Sequence, residues 1–397
     1  MRPFALILLT LFCGTLGRAA TLPPASPARD LSPLLDPIVA AHGVPGLSAM
    51  VMRGDRTIAF GTAGVRKAGA VERIAASDEF LLCSGTKAMT ATLVALAIEE
   101  GKLARSTTLG EIFPATFKRM RPEWNAVTVE QLLNHRAGVP NEAGRIWTLL
   151  RVQFSRASTA EKRRALVEKI LSRPPASAPG SRYVYTALDY IVLGAILEKI
   201  AGQPWEELIQ ERLWRPLGIA HGGFGAPGTP GTVDQPWGHW GMLRPGRPVK
   251  PGGFWAKLNV PLFFGPAGTA RLTMDDWAKF VGLHLRGDPA NPAHQAQLLN
   301  ASSFAALHTA APGSFYESGW IVHRRPWAKG NRAADTGRAL SSEGDNGFWH
   351  VEAWLAPEID LAVLIVCNQG GATPDKPATR ACKAALDALV REFGAAP

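Results

Sequence analysis

The chain is poor in cysteine, with four in 397 residues. One of them, Cys13, lies in an N-terminal segment that we expect to be removed, which leaves Cys83, Cys367 and Cys382. So small and odd a number excludes the disulfide framework that stabilises many exported domains. The fold must therefore depend on hydrophobic cores, and its length suits two domains or one large two-lobed unit.

Other features are also missing. Beyond the N-terminus, no apolar run is long enough to span a bilayer. No set of His, Asp and Glu has the spacing of a zinc site, and no glycine-rich loop is followed by the Lys-Ser/Thr of a phosphate loop. Neither a repeat nor a nucleic-acid-binding module is recognisable. The sequence thus indicates no metal, no cofactor and no nucleic-acid partner.

Residues 1–20 have the layout of a secretory signal peptide. Arg2 supplies the positive charge, Phe4–Leu16 forms the apolar stretch, and Ala19 or Ala20 ends a small-residue cleavage site. The residue before Cys13 is not small, which argues against a lipid-modified cysteine. We therefore expect a secreted or periplasmic protein. The alternative is an uncleaved membrane anchor, which the short apolar run disfavours.

The chain is basic, with a net charge of +10. Removal of Arg2 and Arg18 with the signal lowers this by two, to +8. The simplest interpretation of the excess is a solvated surface, and attraction to an anionic envelope or substrate is the second.

Hydrophobic periodicity predicts strands at both ends of the chain and helices between them. The predicted strands are Leu47–Arg53, Thr57–Gly64, Ser318–His323, Gly347–Leu355 and Leu361–Cys367. The predicted helices are Leu31–Ala41, Thr128–His135, Ala157–Ser172, Tyr185–Ala201, Trp205–Leu213, Thr273–Leu285 and Thr379–Phe393. This order predicts an α+β fold, in which one antiparallel sheet is built from both chain ends (about 30–105 and 315–397) and carries an inserted all-helical lobe (about 106–314).

The segment Gly222–Gly253 is dense in glycine, proline and tryptophan. We interpret it as an ordered functional loop, because its aromatic side chains need burial or a ligand. His239 lies within it. A packing role is the first interpretation of this histidine, and a place in a cleft is the second.

The stretch Leu81–Gly101 (LLCSGTKAMTATLVALAIEEG) reads as a buried helix that begins near Ser84. Ser84 and Lys87 are three residues apart and share a helix face. At this position Lys87 loses hydration, and in its neutral form it can accept the Ser84 proton as the hydroxyl attacks a carbonyl. Ser-x-x-Lys also arises by chance about once in a chain of this size, so the pair alone is weak evidence of catalysis.

Several sequence blocks together strengthen the evidence that Ser84 and Lys87 are catalytic. They are SGTK at 84–87, QLLNHRAGVP at 131–140, PGSRYVYTALDYIVLG at 179–194, GPAGTARLTMDDWAKF at 265–280 and VLIVCNQGG at 363–371. In this order the sequence resembles the serine β-lactamase and penicillin-binding-protein family, and most of all its class C β-lactamase-like hydrolases. The resemblance implies a β-lactamase/transpeptidase-like fold over almost the whole mature chain.

The resemblance also implies roles. Ser84 corresponds to the nucleophile that forms an acyl-enzyme, Lys87 to its base, and Tyr185 to the tyrosine that assists proton transfer. The third motif of the family aligns with Leu340–Asn346; an alternative alignment puts Asp345-Asn346-Gly347 in the motif and has no basic residue either. Its substrate-binding and oxyanion residues then correspond to Ser342, Gly344, Asp345 and Asn346, with backbone N–H donors from Ser84 and Asp345. His135, in QLLNHRAGVP, corresponds to a structural junction.

Two positions depart from the family pattern. Ala187 replaces the asparagine two residues after the tyrosine, and Ser342 replaces a basic residue, with the acidic Glu343 beside it. We therefore expect a hydrolase that acts through Ser84 on a small ester or amide, as an esterase, a D,D-peptidase or a β-lactamase does. The alternative is a degenerate relative that binds peptide or peptidoglycan-like ligands without turnover. In either case the partner is a small-molecule or peptide-like ligand, and the N-terminal segment is the one candidate for membrane attachment.

Overall fold

The computed structural model describes residues 27–113, 117–140, 152–241, 246–259, 261–371 and 375–394; the predicted signal peptide lies outside them. The strands are β1 (Arg29–Asp30), β2 (Gly46–Arg53), β3 (Arg56–Gly64), β4 (Glu79–Leu81), β5 (Gly222–Phe224), β6 (Gly238–Trp240), β7 (Arg247–Val249), β8 (Ala270–Thr273), β9 (Tyr316–Glu317), β10 (Trp320–Arg324), β11 (Arg338–Asp345), β12 (His350–Ala356) and β13 (Leu361–Cys367). Eight of them form one sheet in the order β1-β3-β2-β13-β12-β11-β10-β9. Its pairs are antiparallel except β1 with β3. Two smaller sheets have the orders β4-β8-β5 and β6-β7.

Helices cover both faces of the large sheet. The described α-helices are α1 (Ser32–His42), α2 (Thr86–Glu99), α3 (Leu109–Ile112), α4 (Val129–Leu133), α5 (Thr159–Leu171), α6 (Ala187–Ala201), α7 (Trp205–Ile209), α8 (Phe254–Asn259), α9 (Gly265–Gly268), α10 (Met274–Gly287), α11 (Ala301–His308) and α12 (Pro377–Phe393). α1 and α12 pack on one face over a core that includes Leu35, Val363 and Leu389, and α2 and α10 contribute to the core of the other face. None of the described helices combines the length and apolarity needed to cross a membrane.

The α+β fold with a sheet built from both chain ends is confirmed. The region 106–314 is not purely helical, because it also contains the short strands β5 to β8. The periodicity also missed β11 and α11. β11 lies between β10 and β12, yet its sequence, RALSSEGD, is polar, so apolar alternation gave no signal there.

A buried ion network fixes the end of β11 against β12. His350 lies opposite Asp345 on the paired strand. Its Nδ1 is 3.0 Å from an Asp345 carboxylate oxygen, and its Nε2 is 3.0 Å from a Glu352 carboxylate oxygen. Both neighbours accept hydrogen bonds, so both ring nitrogens carry hydrogen. Burial by itself lowers the pKa of His350, but the two carboxylates outweigh it and raise the pKa from 6.5 to about 9.

This network predicts a stability that falls as pH rises. His350 is 4% exposed. Its pKa is about 9 in the folded state and 6.5 in the unfolded state, so between these pH values the folded protein binds more protons than the unfolded protein. The stabilisation is therefore fully present below about pH 6.5 and is lost as the pH rises through about 9, by on the order of 3 kcal/mol. Urea unfolding of the wild type at pH 6.5, 7.5 and 9 measures this decrease in the free energy of unfolding.

The His350→Gln variant is the control, because a neutral amide cannot titrate in this range. We expect it to be less stable at pH 6.5 and to have a flatter dependence of unfolding free energy on pH. Equal slopes in the two proteins would contradict the assignment.

Candidate active site

A strained turn presents Ser84 at the start of α2. β4 pairs with β8, and Leu82 N donates to Ala270 O at 2.8 Å. Cys83 then has a φ of 47°, a left-handed conformation unusual for a residue with a side chain. A 3-10 turn over Cys83–Gly85 leads into α2. Such strain costs on the order of 1–3 kcal/mol and is tolerated where the surroundings fix the chain.

Ser84, Lys87 and Tyr185 come together at this turn. Lys87 Nζ donates to Ser84 Oγ at 3.0 Å, and Tyr185 OH donates to the same oxygen at 2.7 Å. Lys87 is only 2% exposed, whereas Tyr185 is 42% exposed at the mouth of the cleft. The hydroxyl of Ser84 thus lies within hydrogen-bond reach of two groups that can exchange protons with it.

The buried ammonium of Lys87 has further partners. It donates to the backbone carbonyl of Ala267, in α9, at 2.7 Å. Its Nζ also lies 5.1 Å from the ring centroid of Tyr185 and 5.8 Å from that of Tyr190, within the range of cation–π attraction. Ala187 lines the cleft where the family pattern has asparagine. Ala187 has no polar side-chain group to offer Lys87, whereas the Ala267 carbonyl on α9 accepts a hydrogen bond from its Nζ.

His135 packs behind this group and is neutral. Its Nδ1 donates to Asp189 Oδ2 at 2.7 Å, and Tyr316 OH donates to its Nε2 at 3.2 Å. Burial lowers the pKa of His135 well below 6.5, and the nearby ammonium of Lys87 lowers it further. The four tyrosines of the chain all make ring contacts with this one histidine: Tyr183, Tyr185, Tyr190 and Tyr316. His135 thus packs against the ring that donates to Ser84, in keeping with a structural junction.

β11 forms the opposite wall. A Cβ on Gly344 would lie 2.2 Å from Leu82 O and 3.0 Å from Ser84 N, so this close approach requires glycine. β10 pairs with β11 only from Arg338 to Ser341, which leaves residues 342–345 without a strand partner on that side among the described strands. Asn346 N donates to Trp349 O at 3.4 Å, so alternation along the strand turns the N–H of Asp345 towards the open side.

The side chains of the third motif differ in their placement. The Asp345 carboxylate accepts from Gly347 N at 2.6 Å and Gly371 N at 2.7 Å, besides its contact with His350. Its charge is therefore largely compensated. Ser342 is 4% exposed, does not line the cleft, and its Oγ has no partner among the described residues. Glu343 accepts from Ser341 at 3.2 Å, and strand alternation places it on the other face of β11 from Gly344.

The cleft beside Ser84 has a volume of about 280 Å³. Among its described lining residues, Lys87 is the sole cation and Asp345 the sole acid. Two polar atoms in these walls, Thr269 Oγ1 and Asn346 Nδ2, are buried and have no partner within the described chain. An unpaired buried polar group costs about 1–3 kcal/mol, which a bound ligand with a matching group would recover.

Sequence reasoning missed several of these lining residues, chiefly Asn259, Phe264 and Thr269. Thr269 lay within the GPAGTARLT block but carried no recognisable role, and Asn259 had no motif around it. His239 takes the packing role. Its Nδ1 donates to Asn368 O at 2.7 Å, its Nε2 accepts from Ala68 N at 2.9 Å, and burial lowers its pKa to about 4.

One group of metal-ligating side chains converges within the described part of the chain, and it lies outside the cleft. Ligand atoms of His350, Glu352 and Cys382 lie within 4.8 Å of one another. Both nitrogens of His350 already carry hydrogen, and burial raises the pKa of the Cys382 thiol well above its usual value. A metal needs a free imidazole lone pair and a thiolate, so these residues fit the ion network better than a metal centre.

Comparison with known proteins identifies the family of the chain. A family model described as Beta-lactamase matches residues 31–387. Penicillin-binding protein 4 of Amycolatopsis lactamdurans is 26% identical over 290 residues, which are 72% of this chain and 72% of that protein. A putative D-alanyl-D-alanine carboxypeptidase of Escherichia coli (strain K12) is 30% identical over 154 residues, which are 35% of this chain and 32% of that relative, so the match spans about a third of its length.

The fold is shared with solved structures of low sequence identity. A D-amino acid amidase from Ochrobactrum anthropi SV3, solved with L-phenylalanine, has a TM-score of 0.68 at 20% identity, over 91% of this chain and 98% of that chain. The family match covers nearly all of the described residues, so the resemblance drawn from the sequence blocks is confirmed. The chain belongs to the β-lactamase family of serine hydrolases, which includes penicillin-binding proteins.

Proposed function

We propose that this protein is an exported serine hydrolase that cleaves a small ester or amide through an acyl-enzyme on Ser84. The observation that carries the proposal is the position of Ser84 Oγ, 3.0 Å from Lys87 Nζ and 2.7 Å from Tyr185 OH. A serine hydroxyl is a weak nucleophile until a neighbouring group takes its proton. Two such neighbours are in place. Export rests on the signal-like residues 1–20.

Acylation would proceed as follows. In the reactive state the Lys87–Tyr185 pair is one proton short, with either a neutral Lys87 amine or a Tyr185 phenolate. Ser84 Oγ attacks the carbonyl carbon of the substrate while its proton passes to that group. The oxyanion accepts hydrogen bonds from the backbone N–H groups of Ser84 and Asp345, each worth about 3 kcal/mol in the transition state. The bond to the leaving group then breaks, and the leaving oxygen or nitrogen takes the proton back from the pair. Water attacks the acyl-enzyme by the same path and releases the acid.

The cleft favours an uncharged ester over a substrate with a carboxylate beside the reacting bond. Ser342 replaces a basic residue and lies away from the cleft, so Lys87 is left as the only cation among the described lining residues. Penicillins and peptide C-termini carry a carboxylate that needs such a partner. The names of the curated relatives support peptide substrates, so D-alanyl peptides remain the main alternative within this class.

A binding protein without turnover is the second candidate. It is favoured by Ala187, which leaves the cleft without the amide of the family pattern. The contact of Lys87 with Ala267 O argues against it, because the base keeps an acceptor that orients its Nζ towards Ser84.

Covalent labelling separates these two functions. We expect a fluorescent fluorophosphonate to label the folded protein with a stoichiometry near one, because the probe reports an activated serine. The Ser84→Ala variant is the matched control and should remain unlabelled, while Cys83→Ala should be labelled normally. The absence of label on folded wild-type protein would contradict the assignment as an enzyme.

Substitution of the two proton-transfer groups should reduce turnover without unfolding the protein. We expect Tyr185→Phe to lower kcat/KM for p-nitrophenyl butyrate by about 10²–10⁴-fold, because the variant keeps the ring and loses the hydroxyl. Lys87→Met should lower it by at least as much. Tyr183→Phe is the control, since Tyr183 does not line the cleft, and should keep most of the activity. Full activity in Tyr185→Phe would exclude the assigned role.

A paired assay tests the substrate preference. Nitrocefin and p-nitrophenyl butyrate should be compared at equal concentration. We expect the ester to give the larger kcat/KM, because Lys87, the one cation among the described lining residues, already contacts Ser84 and Ala267 and is not free for the β-lactam carboxylate. Faster nitrocefin hydrolysis by the wild type would overturn the ester preference.

A further inference from the structure

The cleft opens into a larger cavity with aromatic walls. This second cavity has a volume of about 460 Å³ and shares Asn259, Phe264 and Asn346 with the cleft beside Ser84. Its size is typical of small-molecule sites, which span about 300–1,000 Å³. We call it the aromatic groove and define it by its apolar lining residues Trp240, Trp255, Leu258, Pro261, Phe264 and Phe348.

The tryptophans of the groove are held in place yet remain exposed. Trp240 is 39% and Trp255 56% exposed. Their rings meet edge to face with centroids 5.9 Å apart, and Trp240 also packs on Phe348 at 5.3 Å. Large aromatic side chains that contact one another but face solvent are typical of a surface that buries an apolar ligand.

The position of the groove decides which part of a substrate enters it. The leaving group must take a proton from Lys87 or Tyr185, so it must lie beside them. Neither residue lines the groove, which meets the cleft on the side of Asn259 and Asn346. The part of the substrate that extends into the groove is therefore the acyl group that stays on Ser84.

Charge around the groove limits the acyl group further. Lys376 lines the groove itself. An outer cavity of about 800 Å³ continues from Trp240 and Trp255 and is lined by Arg247 and Lys250. Neither cavity has an Asp or Glu among its described lining residues. The Asp375 carboxylate, which is outside the lining, lies 3.6 Å from Lys376 Nζ and offsets one of these three cations. A positively charged acyl group would still meet a net like charge there.

We infer that the aromatic groove binds the acyl part of the substrate, and that this part is a large apolar group, aromatic or alkyl, without positive charge. The inference rests on the proposed acyl transfer by Ser84 and extends it to a class of substrate. Within the ester and amide class of that proposal, it enlarges the acyl part beyond a small group.

A series of p-nitrophenyl esters with one common leaving group tests it. We expect kcat/KM of the wild type to rise about two- to threefold per methylene, and on the order of thirtyfold from butyrate to octanoate, as apolar surface is buried. Among acyl chains of equal length, the ω-aminooctanoate ester should be the poorest, below octanoate and the suberate monoester. A series that is flat or falls beyond butyrate would overturn the inference, while labelling of Ser84 would leave the proposed function standing.

Two variants locate the effect in the groove. Trp255→Ala should lower the ratio of octanoate to acetate turnover by about tenfold while acetate turnover changes by less than about twofold, because the acetyl group does not reach the groove. Lys376→Met should narrow the gap between octanoate and ω-aminooctanoate. Lys383→Met, in the helix α12 that Lys376 precedes as its N-cap, lies outside the groove and is the matched control. Unchanged ratios in Trp255→Ala would contradict the inference.

Ester binding to a variant that cannot hydrolyse the ester provides a second test of the groove. The Ser84→Ala protein should bind p-nitrophenyl octanoate more tightly than p-nitrophenyl butyrate by calorimetry, and adding Trp255→Ala should abolish most of the difference. Equal affinities for the two esters would rule out the groove as an acyl site, whether or not the wild type hydrolyses them.

Discussion

The site depends on the burial of one ammonium group. Lys87 Nζ is held between Ser84 Oγ at 3.0 Å and Ala267 O at 2.7 Å, on a side chain that is 2% exposed. A buried cation is tolerated only where acceptors surround it. The groups that contact this ammonium lie on α2, α9 and the start of α6, so its burial brings together three elements that lie far apart in the sequence. The helical lobe is thereby fixed against the sheet at the point where Ser84 meets β11.

Three features around Ser84 are locally destabilising. Cys83 adopts a left-handed φ of 47°, and the buried Thr269 Oγ1 and Asn346 Nδ2 lack partners among the described residues. Each such feature costs about 1–3 kcal/mol, and all three lie at the cleft. The ion network of His350 with Asp345 and Glu352 works in the opposite direction, because it fixes the strand end from the far face of the sheet. The cleft side of β11 is thus locally destabilised, while charged hydrogen bonds on its other side stabilise the strand.

The sequence predicted those parts of the molecule that depend on apolar periodicity or on a local motif. α2 and the strands at both chain ends follow the periodicity, and the i, i+3 spacing placed Lys87 beside Ser84. Apolar periodicity gave no strand at β11, because most of its residues are polar although the strand is central, and only the family motif at Leu340–Asn346 marked its place. The acceptor for Lys87 was unpredictable because the Ala267 carbonyl has no side-chain signature. The His350 network requires the register of β11 on β12, which no local pattern encodes.

The measurement that tests the central claim most directly is peptide mapping by mass spectrometry after acid quenching during turnover of p-nitrophenyl butyrate. We predict one butyryl group on the peptide that contains Ser84, and loss of both the adduct and the turnover in Ser84→Ala. Turnover that persists in Ser84→Ala, or an adduct on another residue such as Cys83, would contradict the account.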